Sequence, residues 1–157
     1  MGLRKILTDA EPALHKVCKP VVNFDSKLFK LLDDMRDTLI ESGGVGLAAP
    51  QVGILRRVVL VDTGEEILEL INPSLLETDG EQVGPEGCLS VPGRYGLVKR
   101  PYYAKVRAQD RFGDWFEAEG EELIGRCFCH ELDHLDGILY TQVMERFLTE
   151  EELAADE

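Results

Sequence analysis

The sequence predicts an α+β fold: mainly antiparallel β-sheets packed around a central helix that carries an HExxH string, with a second helix near the N-terminus. Three observations predict it. Leu28, Leu31, Leu32, Met35 and Leu39 recur at helical spacing early in the chain. Short runs rich in β-branched residues, punctuated by Gly, Pro and Asp, fill the middle. A second helical pattern, free of proline from Glu121 to Ile138, follows those runs. Strands first and a helix after them favour segregated α+β packing over alternating βαβ units.

The first helix is expected from about Ser26 to Ser42, with Asp25 or Ser26 as its N-cap. Arg57–Asp62 and Ile67–Asn72 read as strands around a turn at Thr63-Gly64, and Leu75–Thr78 continues as a strand toward Gly80. Gly96–Arg100 and Tyr103–Asp110 look extended and are separated at Pro101. Phe112-Gly113-Asp114 reads as a hairpin turn into Trp115–Ala118. No repeat, linker or low-complexity segment appears, so residues 1–157 are expected to form one domain ending in a short acidic tail, 148–157.

The chemistry concentrates in His130-Glu131-Leu132-Asp133-His134. Histidines four apart stack on one helix face, close enough to share a cation. At about 100° per residue, Leu123, Cys127, His130 and His134 fall on one line, and Ile124, Phe128, Glu131 and Leu135 on the next. Arg126, Asp133 and Asp136 are read as pointing the other way. The polar trio thus sits in the apolar stripe, where an unpaired carboxylate costs several kcal/mol unless compensated. A divalent cation would compensate; so would a buried His–Glu hydrogen-bond network without metal. With a cation, Glu131 stands where a carboxylate can take a proton from an activated water. Gly137 suits the helix C-terminus.

Two histidines need a third ligand. A histidine six residues after His134 is lacking, since Tyr140 holds that place. Glu145 stands just before the short acidic tail, and Glu150, Glu151 and Glu152 fall in it. Of the four cysteines, Cys127 shares the helical line but three ligands on one straight helix wrap an ion poorly. Cys129 is read as facing the polar side, and Cys18 precedes Pro20. Cys88 stands within Gly84-Pro85-Glu86-Gly87-Cys88-Leu89-Ser90-Val91-Pro92-Gly93, read as a tight loop able to present a sulfur and its neighbouring N–H groups to one point. A third segment, Gly44-Val45-Gly46-Leu47-Ala48-Ala49-Pro50-Gln51-Val52-Gly53, matches a dinucleotide-binding string but follows a helix instead of a strand. It reads better as an extended run that another backbone can approach, ending in the Gln51 amide, a possible oxyanion donor.

Together the three segments resemble the peptide deformylases, whose GxGxAAxQ, EGCLS and HExDHLxG motifs occur here in that order as Gly44–Gln51, Glu86–Ser90 and His130–Gly137. The likeness runs to about Phe147. It implies removal of the N-formyl group from the initiator formyl-methionine of nascent polypeptides. It implies metal ligation by Cys88, His130 and His134, with Glu131 as general base and acid. The Gln51 amide and the Leu89 N–H would bind the carbonyl oxygen, and the backbone around Val45, Gly46 and Gly87 would bind the peptide. The implied cofactor is one divalent ion, usually Fe²⁺, with Zn²⁺, Ni²⁺ or Co²⁺ able to take its place. Cys129, before the HExxH string, replaces the more usual glutamine.

Composition agrees. No stretch reaches the roughly 18 apolar residues of a membrane span, and the start of the chain is no signal peptide. The cysteines follow no secreted disulfide pattern, and a thiolate ligand needs a reducing setting, so a cytoplasmic location is expected. A net charge of −13 disfavours direct nucleic-acid binding. Expected contact with the ribosome is therefore transient proximity, without a basic C-terminal helix. His15, in a polar stretch, is assigned no role.

Overall fold

The computed structural model describes residues 2–155; Asp156 and Glu157 of the acidic tail lie outside the described residues. Helix α1 spans Ser26–Ser42, as the apolar spacing predicts. Asp25 caps it by accepting from the Leu28 N–H at 3.1 Å, and Gly43, at φ 71°, closes it in the left-handed region that favours glycine.

Strands β1 (Gly46–Ala48), β2 (Val58–Asp62), β3 (Ile67–Asp79), β6 (Tyr103–Gln109) and β7 (Trp115–Glu121) form a five-stranded antiparallel sheet in the order β1-β2-β3-β6-β7. A smaller antiparallel sheet joins β4 (Gln82–Cys88), β5 (Val91–Arg100) and β8 (Arg146–Phe147). The strands expected at Ile67–Asn72 and Leu75–Thr78 are one long strand. Its irregularity lies at Asn72, at φ 52°, where the pairing with β6 shifts register between Ile71 and Ser74. The Asn72 side chain repairs that break, accepting from the Val21 N–H at 2.8 Å and donating to Gln109 Oε1 at 2.8 Å.

Helix α2 (Leu123–Leu135) is shorter than the proline-free stretch, and Gly137 follows it at φ 76°. A β-carbon at Gly137 would come within 2.7 Å of the His15 backbone, so the glycine is required by packing as well as by φ. The large sheet is covered on both faces. Val59 and Val61 of β2, with Leu70, Ala104 and Val106, pack against Cys127, Phe128 and Leu135 of α2. The alternate residues Val58 and Leu60, with Leu47 and Ile71, meet Leu28, Leu32, Met35 and Leu39 of α1. A short helix, α3 (Glu150–Ala155), follows β8.

The segment around Cys88 corrects the expectation of a loop. Gln82–Cys88 and Val91–Arg100 are paired strands of a hairpin, and Cys88 is the last residue before its turn at Leu89-Ser90. Pro85 is tolerated because β4 is an edge strand.

Candidate metal centre

Helix α2 supplies His130 and His134 one turn apart, both buried. The hairpin end delivers Cys88 to the same point. The sulfur lies 3.4 Å from His134 Nε2, which lies 3.2 Å from His130 Nε2, and the three ligand atoms all fall within 4.8 Å of one another. Such spacings fit three donors about 2.0–2.3 Å from one cation. An unpartnered buried atom points the same way: among the described residues Glu131 Oε1 has no hydrogen-bond partner, and neither has His134 Nδ1 on the far side of its ring. Nitrogen and sulfur donors crowded this closely in the interior require either protons between them or a shared cation.

The outer nitrogen of His130 is fixed. Its Nδ1 lies 2.7 Å from Glu86 Oε2. Burial works against ionising Glu86, but the hydrogen bonds with His130 and Arg100 overcome it and hold its carboxyl at about 2. The carboxylate therefore accepts, His130 Nδ1 carries the hydrogen, and Nε2 faces the shared point. Burial and the neighbouring His130 push His134 well below the usual imidazole range, which keeps it a neutral donor.

Glu131, one residue after His130, is 3% exposed and forms no salt bridge among the described residues. Burial raises its carboxyl to about 7, so it exchanges a proton near neutrality. Gln51 is buried in the 3-10 turn that follows β1. Its Oε1 accepts from the Ala48 N–H at 2.9 Å, which orients its Nε2 toward Ser90 Oγ at 3.1 Å and Cys88 Sγ at 3.5 Å. The Ser90 N–H lies 3.4 Å from the same sulfur.

Gln51, Cys88, His130 and Glu131 form the foot of a cleft of about 500 Å³. Gly44, Val45 and Gly46 line one side, and Gly87, Cys88 and Leu89 another. β1 and β4 are each the outermost strand of their sheet, so two free edges border the cleft. The glycines are needed where the walls meet: a β-carbon at Gly44 would come 2.8 Å from Leu89 Cδ1, and one at Gly46 2.5 Å from Glu131 Oε2.

The structure brings together Cys88, His130, His134, Glu131, Gln51, Leu89, Val45, Gly46 and Gly87, all nine residues singled out in the sequence. The other cysteines stand apart from the ligand group. Cys127 lies beside Glu131 near Gly46, while Cys18 and Cys129 are buried in the main core. His15 is exposed, as expected. The wheel reading of Arg126 and Asp133 is corrected. Arg126 is buried and bonded to Glu86, and Asp133 accepts from Arg100 at 2.7 Å. Arg126 lies four residues before His130 and so only 40° around the helix; that spacing was the available signal. Cys129 likewise is buried, not on a polar face. The N-terminal segment was also missed. Its Leu7 N–H donates to the Gln51 carbonyl at 2.7 Å and its Asp9 N–H to the Ser90 carbonyl at 2.9 Å, bracing two segments of the cleft floor.

A cysteine and two histidines that can hold a cation, beside an unpaired carboxylate in a cleft, define a metal-dependent hydrolase. Residues 3–149 match the family model described as polypeptide deformylase, and the chain belongs to that family. It is 54% identical over 145 residues to a peptide deformylase of Agathobacter rectalis, covering 92% of each chain. It is 52% identical to one of Caldanaerobacter subterraneus, covering 98% of this chain and 96% of the relative. Among solved structures, a peptide deformylase from Legionella pneumophila superposes with a TM-score of 0.88 at 40% identity, covering 98% of this chain and 90% of the other. One from Thermotoga maritima gives 0.88 at 40% identity, covering 91% and 98%.

Proposed function

We propose that this chain removes the N-formyl group from formyl-methionyl nascent polypeptides and releases formate, with Cys88, His130 and His134 holding one divalent cation. The observation that carries this reading is the meeting of a sulfur from the β4 end with two imidazoles of α2, beside Glu131. When bound, the cation supplies Lewis acidity, lowering the pKa of a water and polarising the formyl carbonyl.

The protein residues do the rest. Glu131 accepts a proton from the attacking water and later delivers it to the leaving amine, a role supported by a carboxyl that titrates at about 7. The Gln51 amide and the Leu89 N–H donate to the carbonyl oxygen as it gains charge; a donor of this kind is typically worth about 2.7–4 kcal/mol of barrier. Val45 and the free edge of β1 at Gly46, with Gly87 opposite, pair with the peptide backbone. The physiological ion in this reading is Fe²⁺, with Zn²⁺, Ni²⁺ or Co²⁺ as substitutes that the same soft thiolate and imidazole donors accept. A thiolate on ferrous iron is oxygen-sensitive, which fits a reducing cytoplasm.

The whole chain acts as one catalytic domain ending in an acidic tail. Among the described residues no helix is long and apolar enough to cross a membrane. At a net charge of −13, contact with the ribosome is transient proximity to the emerging peptide, without sequence-specific nucleic-acid binding. The test is formate release from formyl-Met-Ala-Ser by anaerobically prepared protein, alongside the metal content of Cys88→Ala. Turnover by the parent and lost metal in the variant are expected. An inactive, metal-loaded parent, or a variant that keeps its metal, would refute the reading.

A further inference from the structure

Glu86 is a buried carboxylate that accepts four hydrogen bonds. Its Oε1 accepts from Arg100 Nε at 3.0 Å and Arg126 Nη1 at 2.9 Å. Its Oε2 accepts from Arg100 Nη2 at 2.7 Å and His130 Nδ1 at 2.7 Å. Carboxylate, both guanidiniums and imidazole are each more than nine-tenths buried. Arg100 has a second anion, since its Nη1 bonds Asp133 Oδ2 at 2.7 Å. For Arg126, Glu86 is the one salt-bridged carboxylate among the described residues, and the same Nη1 also bonds the Val98 carbonyl at 3.1 Å. Arg126 is therefore pinned between β4 and β5, one helical turn before His130, at the wall of the cleft.

Arg100 alone would suffice to orient Glu86, because it already grips both oxygens in a bidentate pair. A second guanidinium adds charge more than direction. It draws electron density toward Oε1 and away from the Oε2 that faces His130. A carboxylate so depleted is a weaker acceptor, and an imidazole donating to it is a weaker electron donor at its other nitrogen. A weaker donor leaves a bound cation more electrophilic.

We propose that Arg126 is a positioning residue for the reaction: through Glu86 it limits how strongly His130 donates to the cation, and so keeps that cation a strong Lewis acid. This inference rests on His130 being a ligand, as proposed above.

The test uses Zn²⁺-loaded full-length protein and reads the ¹H resonance of His130 Nδ1–H together with kcat and KM. In Arg126→Met the hydrogen bond to Glu86 strengthens. The resonance is expected to move downfield, and kcat to fall about 10-fold or more, with KM within about twofold of the parent. Arg126→Lys, which keeps the charge, should recover most of both. An unchanged resonance in Arg126→Met, or the same loss in Arg126→Lys as in Arg126→Met, would overturn the proposal and leave the ligand assignment standing. Should Arg126→Met fail to fold, Arg126→Gln keeps a donor without charge and is read by the same two outcomes. Zn²⁺ addition that leaves the parent's His130 ring signals unmoved overturns the ligand assignment itself, and this inference with it.

Discussion

Gly46 lies directly against the carboxylate of Glu131. A β-carbon at this position would come 2.5 Å from Glu131 Oε2 and 2.8 Å from Cys127 Sγ. Gly46 sits on the free edge of β1, paired on its other side with Val61 of β2, so the strand cannot slide away without breaking the sheet. The absence of a side chain here sets how closely the proposed base can approach the free edge of β1.

Gly46→Ala should therefore displace Glu131 while sparing Cys88, His130 and His134, the three proposed ligands. An ångström of misplacement at a reacting group costs on the order of 100-fold. Expected is a fall of that size in kcat/KM with a full equivalent of metal retained, read by steady-state kinetics and elemental analysis. A variant with parental kinetics would show that Glu131 does not need its present position.

Glu131 itself is buried with one oxygen unpartnered. Such a group is destabilising in the absence of a compensating cation. In Glu131→Gln, turnover should fall by at least about 100-fold, the range expected for lost acid–base catalysis, with metal still bound. The metal-free variant should also melt higher than the metal-free parent, by roughly 2–4 °C for each kcal/mol relieved. Calorimetry on both metal-free proteins checks the sign, and a lower midpoint would contradict it.

Asp34 carries an acid-dependent part of the stability. It accepts from Lys30 Nζ at 3.0 Å and from Arg4 Nε at 3.0 Å. The hydrogen bond from Lys30 and then that from Arg4 hold its carboxyl below the usual range, against the opposing effect of burial. The folded state thus releases this proton more readily than the unfolded chain, whose Asp titrates near about 3.9. The stabilisation is complete above that value and disappears as pH falls through it and through the lower folded value. Asp34→Asn should be less stable than the parent at pH 7, at roughly 0.2–1 kcal/mol per ion pair lost. The gap should narrow as pH falls through the unfolded value and close once pH is below the folded one. Denaturant titrations across this range test it; a gap that does not vary with pH would place the effect in packing instead.

Much of the fold was legible because its signals are local. The apolar spacing of α1 and the Asp25 cap gave that helix its bounds, and the β-branched runs gave most strands of the large sheet. What failed was also local in origin. The strand reading stops at Asn72 and resumes at Leu75, yet β3 runs through, because the Asn72 side chain bridges the irregularity to Val21 and Gln109, partners distant in sequence. Gly and Pro around Cys88 looked like a loop, yet an edge strand accepts Pro85 once β5 supplies its partner.

The sequence by itself determined which chemistries are available: two imidazoles and a carboxylate at fixed helical spacing, and a short list of cysteines. Intrahelical geometry follows from covalent structure and a 3.6-residue period, so no neighbour is needed to read it. Only the tertiary structure decided which cysteine reaches His130 and His134, where Gln51 points, and that Arg126 is buried against Glu86 in place of facing solvent. Those outcomes depend on how β4, β5 and α2 pack. Contacts between residues 37 or more positions apart are set by sheet register and core packing, which no window of sequence contains.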